Sequence, residues 1–329
     1  MKTTHLKAFF TVGILLIAHQ LFAVTKTALL PGAWNNALTW LPLGVPAADD
    51  DVVIGNAGNV TVTGSFTCKS LRIGGLLANL TINAGSSLTV DQDVLMQVNA
   101  ITEGNTFNVL GSLVVKGNLR LEYLVNAATG GSNTLNVGDA TNLGSIRIMG
   151  DLRLFSSTVA STTKRNTFNF QHGNLFLEKN AVISSNVPTS QVSILNVNDN
   201  TTFDNKPKNI FLNGALIGFT VNNYAFLDGN QNAPYAVMYQ GTAPQVLAIN
   251  GLVYQNVIIS NSAGVTLEAS LPTSALIGNL RVESNGKLDM ANFNLNGANR
   301  RAGQIFVDNN GVLSLSTATN FPAHLVSGA

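Results

Sequence analysis

The stretch Leu110-Gly-Ser-Leu-Val-Val-Lys-Gly-Asn-Leu-Arg-Leu121 returns 33 residues later as Leu143-Gly-Ser-Ile-Arg-Ile-Met-Gly-Asp-Leu-Arg-Leu154, identical at seven of twelve positions. A shorter phrase, Gly117-Asn-Leu-Arg-Leu-Glu122, is matched at five of six positions by Gly173-Asn-Leu-Phe-Leu-Glu178 and reads as a third copy. A second phrase precedes each copy: Asn105-Thr-Phe-Asn-Val109, Asn133-Thr-Leu-Asn-Val137 and Asn166-Thr-Phe-Asn-Phe170. The phrases recur while the connections between them change length. Stacked coils behave this way, because each buries its apolar edge only against the next and insertions are pushed into loops.

Outward from this stretch, Val52-Val-Ile54, Val60-Thr-Val62, Ser70-Leu-Arg-Ile73, Leu80-Thr-Ile82 and Leu88-Thr-Val90 read as short strands, each closed by Gly, Asn or Ser. No window after the N-terminal segment carries a persuasive helical apolar period. The expected fold is all-β: a right-handed parallel β-helix, a solenoid running from about Asp51 to Leu315 behind an N-terminal cap. Coils of roughly 25 residues would give about ten to twelve turns. The alternative is a pair of tandem β-sandwiches. Residues 51–329 read as one continuous unit, with a weak boundary near 230–235 at Asn230-Gln-Asn-Ala-Pro234.

Charged residues are only 11% of the 329, while hydrophobic ones are 45%, so disorder is excluded and solubility must come from uncharged polar groups. Asparagine supplies much of it, at 41 positions. Stacked strands suit this composition, because like amides line up as ladders without like-charge repulsion.

Residues 1–23 read as a signal peptide: Lys2 and Lys7 precede the apolar run Ala8 to Ala18, and Leu21-Phe-Ala23 offers a cleavage site. That run is too short to span a bilayer, and no later run is longer, so no transmembrane segment is expected in the mature chain. Loss of the two lysines takes the formal net charge from +1 to −1, which argues against nucleic-acid binding. The single cysteine, Cys68, leaves an exported chain without an internal disulfide and reads as a small buried residue.

Residues 24–50 do not repeat and hold both tryptophans, Trp34 and Trp40. A solenoid needs its terminal coil covered, and two large aromatics can do so; a sugar-stacking platform is the competing reading. Asp49 to Asp51 fit turn and strand-start chemistry better than a calcium loop, which needs Gly-spaced ligands and a distal Glu.

Two sets of phrases carry a resemblance. Gly32-Ala-Trp-Asn-Asn-Ala-Leu-Thr-Trp40, Val45-Pro-Ala-Ala-Asp-Asp-Asp-Val-Val-Ile54, Cys68-Lys-Ser-Leu-Arg-Ile73 and Gly85-Ser-Ser-Leu-Thr-Val90 resemble the opening of large secreted, adhesin-like surface proteins of Bacteroidota. Tyr239-Gln-Gly-Thr-Ala-Pro-Gln-Val246, the segment from Tyr254 to Leu267, and Gly278-Asn-Leu-Arg-Val-Glu-Ser-Asn-Gly-Lys-Leu-Asp-Met290 resemble the same group. The first set is also loosely similar to the G8 domain. The resemblance implies a parallel β-helix at the cell surface and export by the type IX route. The sorting domain that accompanies that route is not recognisable in Phe321-Pro-Ala-His-Leu-Val-Ser-Gly-Ala329.

Chemistry has little material. Only His172 and His324 lie beyond the leader, and no nucleotide, hydrolase or cofactor motif occurs, so catalytic, cofactor and metal sites are expected to be none. Asp91 and Asp93, read as sharing one strand face, are the nearest approach to a carboxylate pair. In the repeat, Leu119 and Leu121 should face in, with Asn118, Arg120 and Glu122 out. Superposing the copies sets Arg120 over Arg153 and puts Lys116 and Arg147 on the same outward face, a basic stripe suited to an acidic glycan.

The expected function is an exported structural or adhesive cell-surface module without catalysis; the alternative is a polysaccharide-degrading β-helix enzyme. Partners would be glycans or other surface proteins. Residues 24–329 are expected to belong to a larger surface protein whose coils continue from Ser316, the alternative being a short protein that self-associates end to end.

Overall fold

The structure is a computed structural model that describes residues 23–28, 30–125, 130–157, 165–185, 193–196, 207–218, 224–225, 235–249, 254–270, 276, 278–293, 304–316 and 325–327. The expected signal peptide, apart from Ala23, lies outside them. Among the described residues the chain is almost wholly β, with one short 3-10 turn at Ala37–Thr39. The strands form four sheets, here A to D, of nine, eight, eleven and four strands.

Pairing is parallel throughout these sheets except at Trp40–Leu41, which runs antiparallel to Thr25–Ala28 at the end of sheet A. From Asp51 to Ala225 the chain visits sheets A, B and C in rotation, so that each strand up to Lys208–Leu212 pairs with the strand three places on, and Leu216–Ile217 and Tyr224–Ala225 end sheets A and B. From Tyr235 onward it alternates between sheets C and D, and each strand pairs with the strand two places on. This arrangement is compatible with a β-helix. It excludes tandem β-sandwiches, whose strands pair antiparallel.

Strict alternation of side chains creates the interior. In Leu119–Tyr123 the residues Leu119, Leu121 and Tyr123 are fully buried, while Arg120 and Glu122 face outward. The repeat unit stacks in register, Leu119 on Leu152, Arg120 on Arg153 and Leu121 on Leu154. Phe107 and Val109 of sheet B, and Leu113 and Val115 of sheet C, close the same coil. Each such side chain contributes about 1.5–3 kcal/mol on burial, and it does so only once the next coil covers it.

The second phrase forms sheet B, with Asn105, Asn133 and Asn166 in register and wholly buried. Asn105 Nδ2 donates to Asn133 Oδ1 at 2.8 Å, and Asn133 Nδ2 donates to Asn166 Oδ1 at 2.9 Å. The same two nitrogens donate to Gln97 O and Glu122 O, each at 2.9 Å, and Asn166 Nδ2 donates to Phe155 O at 2.6 Å, which ties sheet B to sheet A at each of these rungs. Three residues on, Asn108, Asn136 and Asn169 repeat the ladder on the outer face, at 2.9 and 2.8 Å.

Several expectations are corrected. Gly173–Leu177 is not a third copy of Leu119–Tyr123. It pairs in sheet C with Gly144–Ile148, Gly173 on Gly144, whereas Leu119–Tyr123 lies in sheet A. The two phrases look alike because both turn a corner at glycine and then bury alternate leucines. The ladders also begin before Asp51, since Thr25–Ala28 pairs with Asp51–Ile54 and Gly32–Ala33 with Asn59–Val62. They extend past Ser316, since Leu325–Ser327 pairs with Ile305–Val307. Successive sheet A strands start between 19 and 35 residues apart (Asp51 to Ser70, Ala181 to Leu216), so coil length varies more than a uniform repeat implies. Sheet C is unbroken across 230–235, Lys208–Leu212 pairing with Tyr235–Tyr239 over five residues.

Trp34 and Trp40 are buried, 5.1 Å apart in an edge-to-face contact, and Trp40 Nε1 donates to Trp34 O at 2.8 Å. Rings so enclosed cannot serve as a sugar-stacking platform. Asp50 accepts the N–H groups of Val24 and Ala47, both at 2.9 Å, and Asp51 pairs with Lys69 at 3.0 Å; both are turn and strand-start contacts.

Candidate functional site

The four cations singled out in the sequence do not form one stripe. Arg120 and Arg153 stand side by side on sheet A. Arg147 lies on sheet C, and Lys116 directly follows the sheet C strand Ser112–Val115. The error comes from treating the repeat as one surface, when its two halves lie on different sheets.

Nor is either set left as bare positive charge. Arg120 pairs with Glu122 at 3.2 Å and with Asp93 at 3.9 Å, and Arg153 pairs with Asp151 at 2.7 Å. Gln97 extends the network by accepting from Arg72 at 3.0 Å and donating to Glu122 at 3.1 Å. Lys116 meets Asp91 at 2.7 Å, and Arg147 meets Glu178 at 2.8 Å. Exposed pairs contribute about 0–1 kcal/mol each, so their larger effect is to cancel the field that would draw in an acidic ligand.

Asp91 and Asp93 do not share a strand face. Both lie in the corner between Ser87–Val90 and Val94–Val98. Asp93 Oδ1 accepts the N–H of Asn118 at 2.8 Å, the first step of a staircase in which each side chain takes a backbone N–H of the next coil. Asn118 accepts from Asp151 N at 2.9 Å, Asp151 from Asn180 N at 3.2 Å, and Asn180 from Ala215 N at 2.9 Å. Cys68 is wholly buried, and burial pushes its thiol well above the usual range.

The outward face of sheet C holds a feature that the sequence reading missed. Its strands are in register, so one outward position per rung forms a column: Arg147, Phe176, Phe211, Met238, Ile258, Arg281 and Phe306. Phe176 and Phe211 stack at 4.4 Å with planes 9° apart, and the Arg147 guanidinium lies 5.4 Å from the Phe176 ring. A polar column runs beside it, with Asn209 next to Ala236 and Ala236 next to Asn256; Asn279 continues it.

Between the columns lies an open groove of about 310 Å³, at the small end of ligand-sized sites. Asn209, Asn256 and Asn279 line one side, and Ile258 and Phe306 the other. Ala236, where its neighbours in the column are asparagines, leaves the hollow. Arg281 also borders it, held by Asp308 through Nε at 2.9 Å and Nη2 at 2.8 Å. A signal for this face was present in the sequence. Tyr235–Tyr239 and Asn256–Ile259 carry apolar residues in both phases of the alternation, which marks a strand with an apolar outer face as well as an inner one.

Among the described residues, no group of three or more His, Cys, Asp or Glu side chains is placed to hold a metal ion, and no helix is long and apolar enough to cross a membrane. No family model, curated protein or solved structure matches the chain.

Proposed function

We propose that the chain is an exported, non-catalytic surface module, structural or adhesive, whose sheets wind as a right-handed parallel β-helix. The hand follows from the strong preference of parallel crossovers for right-handed connection. The observation that carries the functional reading is how the carboxylates are used. Asp93 and Asp151 hold backbone N–H groups of the next coil, Asp91, Glu178 and Asp308 pair with cations on neighbouring rungs, and Glu122 accepts from Gln97 on the rung before. Hydrolysis of a glycoside needs two carboxyls facing each other across a bound sugar. Here these carboxyls brace one coil against the next. The leader-like N-terminus and the resemblance to secreted surface proteins of Bacteroidota support export.

Two measurements test the proposal. Cells of the source organism, treated with protease while intact, are expected to lose the protein, and its mature N-terminus is expected near Val24. The purified protein should release no reducing ends from a panel of plant and bacterial polysaccharides. Protection of the protein inside intact cells would overturn export, and steady release of oligosaccharides would overturn the non-catalytic reading.

A further inference from the structure

The module reading leaves the hollow on the outward face of sheet C unassigned. We infer that it is a subsite for a neutral oligosaccharide; this rests on the reading of the chain as an exported, non-catalytic module.

Charge is the first argument. Arg281 is the cation at the groove, and Asp308 grips it through both Nε and Nη2, at 2.9 and 2.8 Å. Farther along the column Arg147 is held by Glu178. An anionic ligand would have to displace a carboxylate already in place, whereas an uncharged one meets a surface that is already neutral.

The polar wall is the second. Asn209 gives its amide nitrogen to Asn174 Oδ1 at 3.2 Å, which turns its carbonyl oxygen into the available acceptor. Asn279 does the reverse, taking the Gln304 N–H on Oδ1 at 3.0 Å and keeping its amide nitrogen as a donor. One edge of the groove therefore offers an acceptor at one end and a donor at the other, three rungs or roughly 14 Å apart. Hydroxyl groups both donate and accept, so a row of them suits such an edge.

The opposite wall presents Ile258 and the half-buried ring of Phe306, with the Asp308-held Arg281 between them. A pyranose ring has hydroxyls on its rim and C–H groups on its faces, and so meets both walls at once. An extended peptide fits less well. The backbone groups of sheet C are consumed by its own ladder, and strand addition needs a free edge, not a face.

The test is calorimetric titration of the full-length protein with neutral hexasaccharides of glucose, mannose, xylose and N-acetylglucosamine, and with a galacturonate hexamer as the charged counterpart. Ala236→Asn continues the asparagine column and fills the hollow, so it should keep the thermal melt and weaken neutral-glycan binding by at least ~10-fold. Phe306→Ala should weaken it by a similar factor. Asn279→Asp keeps the oxygen that holds Gln304 N and removes the donor, and is expected to cost ~5–10-fold. The subsite is overturned if none of the neutral hexamers binds, if Ala236→Asn leaves their binding unchanged, or if the galacturonate hexamer binds tighter. Those results would leave export and lack of catalysis standing. Release of reducing ends with groove-dependent binding intact would instead remove the non-catalytic reading and keep the subsite.

Discussion

Asn133 shows what one residue type does in this protein. Its side chain accepts from Asn105, donates to Asn166, and donates again to Glu122 O, all in the interior. Replacing it with alanine breaks a buried chain of amides, at an expected cost of about 2–3 kcal/mol in urea unfolding. Asn136→Ala, in the outer ladder, leaves its neighbours to water and should cost about 0.5 kcal/mol or less. Equal effects of the two variants would mean that burial does not set the worth of these ladders. Cys68 gives a second check: with its thiol held protonated by burial, it should resist alkylation by iodoacetamide at pH 8 until the protein is unfolded in urea.

Asp51 sets an acid limit. The Ser70 hydroxyl donates to it at 2.6 Å and, with Lys69 at 3.0 Å, holds its carboxyl below the ordinary range despite partial burial. Burial pushes Asp139 the other way, but hydrogen bonds from Asn142 and Thr141 outweigh it and the net shift is again downward. A depressed folded-state pKa contributes stability that is complete above the unfolded value, near 3.9, and is lost as pH falls through the folded one. Urea midpoints should therefore fall as the pH is taken below about 4, and an Asp51→Asn, Asp139→Asn double variant should show a shallower fall. An unchanged slope would count against this assignment.

At the scale of the element, the corners between sheets B and C differ in how closely the rungs meet. Gly173 has φ +132°, and an added Cβ would lie 1.8 Å from the carbonyl oxygen of Gly144, its partner on the next rung. Gly85 also sits at positive φ, +73°, but a Cβ there meets nothing within 4 Å. Gly85→Ala should cost about 1 kcal/mol, the ordinary penalty of the left-handed region. Gly173→Ala should cost more than about 3 kcal/mol, or prevent folding, because two coils must separate. Similar melting temperatures for the two variants would show that the corner yields more easily than its geometry implies. The same corner explains the misplaced third copy. Gly-Asn-Leu-x-Leu records a turn followed by two buried leucines, and any sheet can use it.

At the scale of the whole molecule, eleven strands in sheet C make ten intervals of about 4.8 Å, a ladder roughly 48 Å long. If the sheets wind as proposed, solution scattering should show an elongated particle, and circular dichroism should lack the helical signature. A compact spherical profile would contradict the winding proposed above. After Tyr235 the chain alternates between two sheets where before it rotated among three, yet sheet C continues through the change. Stability should therefore couple across it through that one sheet.

Much of this was legible in the linear sequence. The period-two burial of Leu119 and Leu121, the register of the Asn-Thr-Phe-Asn phrases and the inward Cys68 all follow from local pattern, because a strand's alternation is a property of consecutive residues. Other features depend on residues about 20 to 35 positions apart, which local pattern does not relate. Tertiary structure alone decided that Arg120 and Arg147 lie on different sheets, that each finds a carboxylate, and that Asn209, Ala236, Asn256 and Phe306 border one groove. The reason is coil length: insertions change which residue meets which from one rung to the next, and a surface built from one side chain per rung exists only after the rungs have stacked.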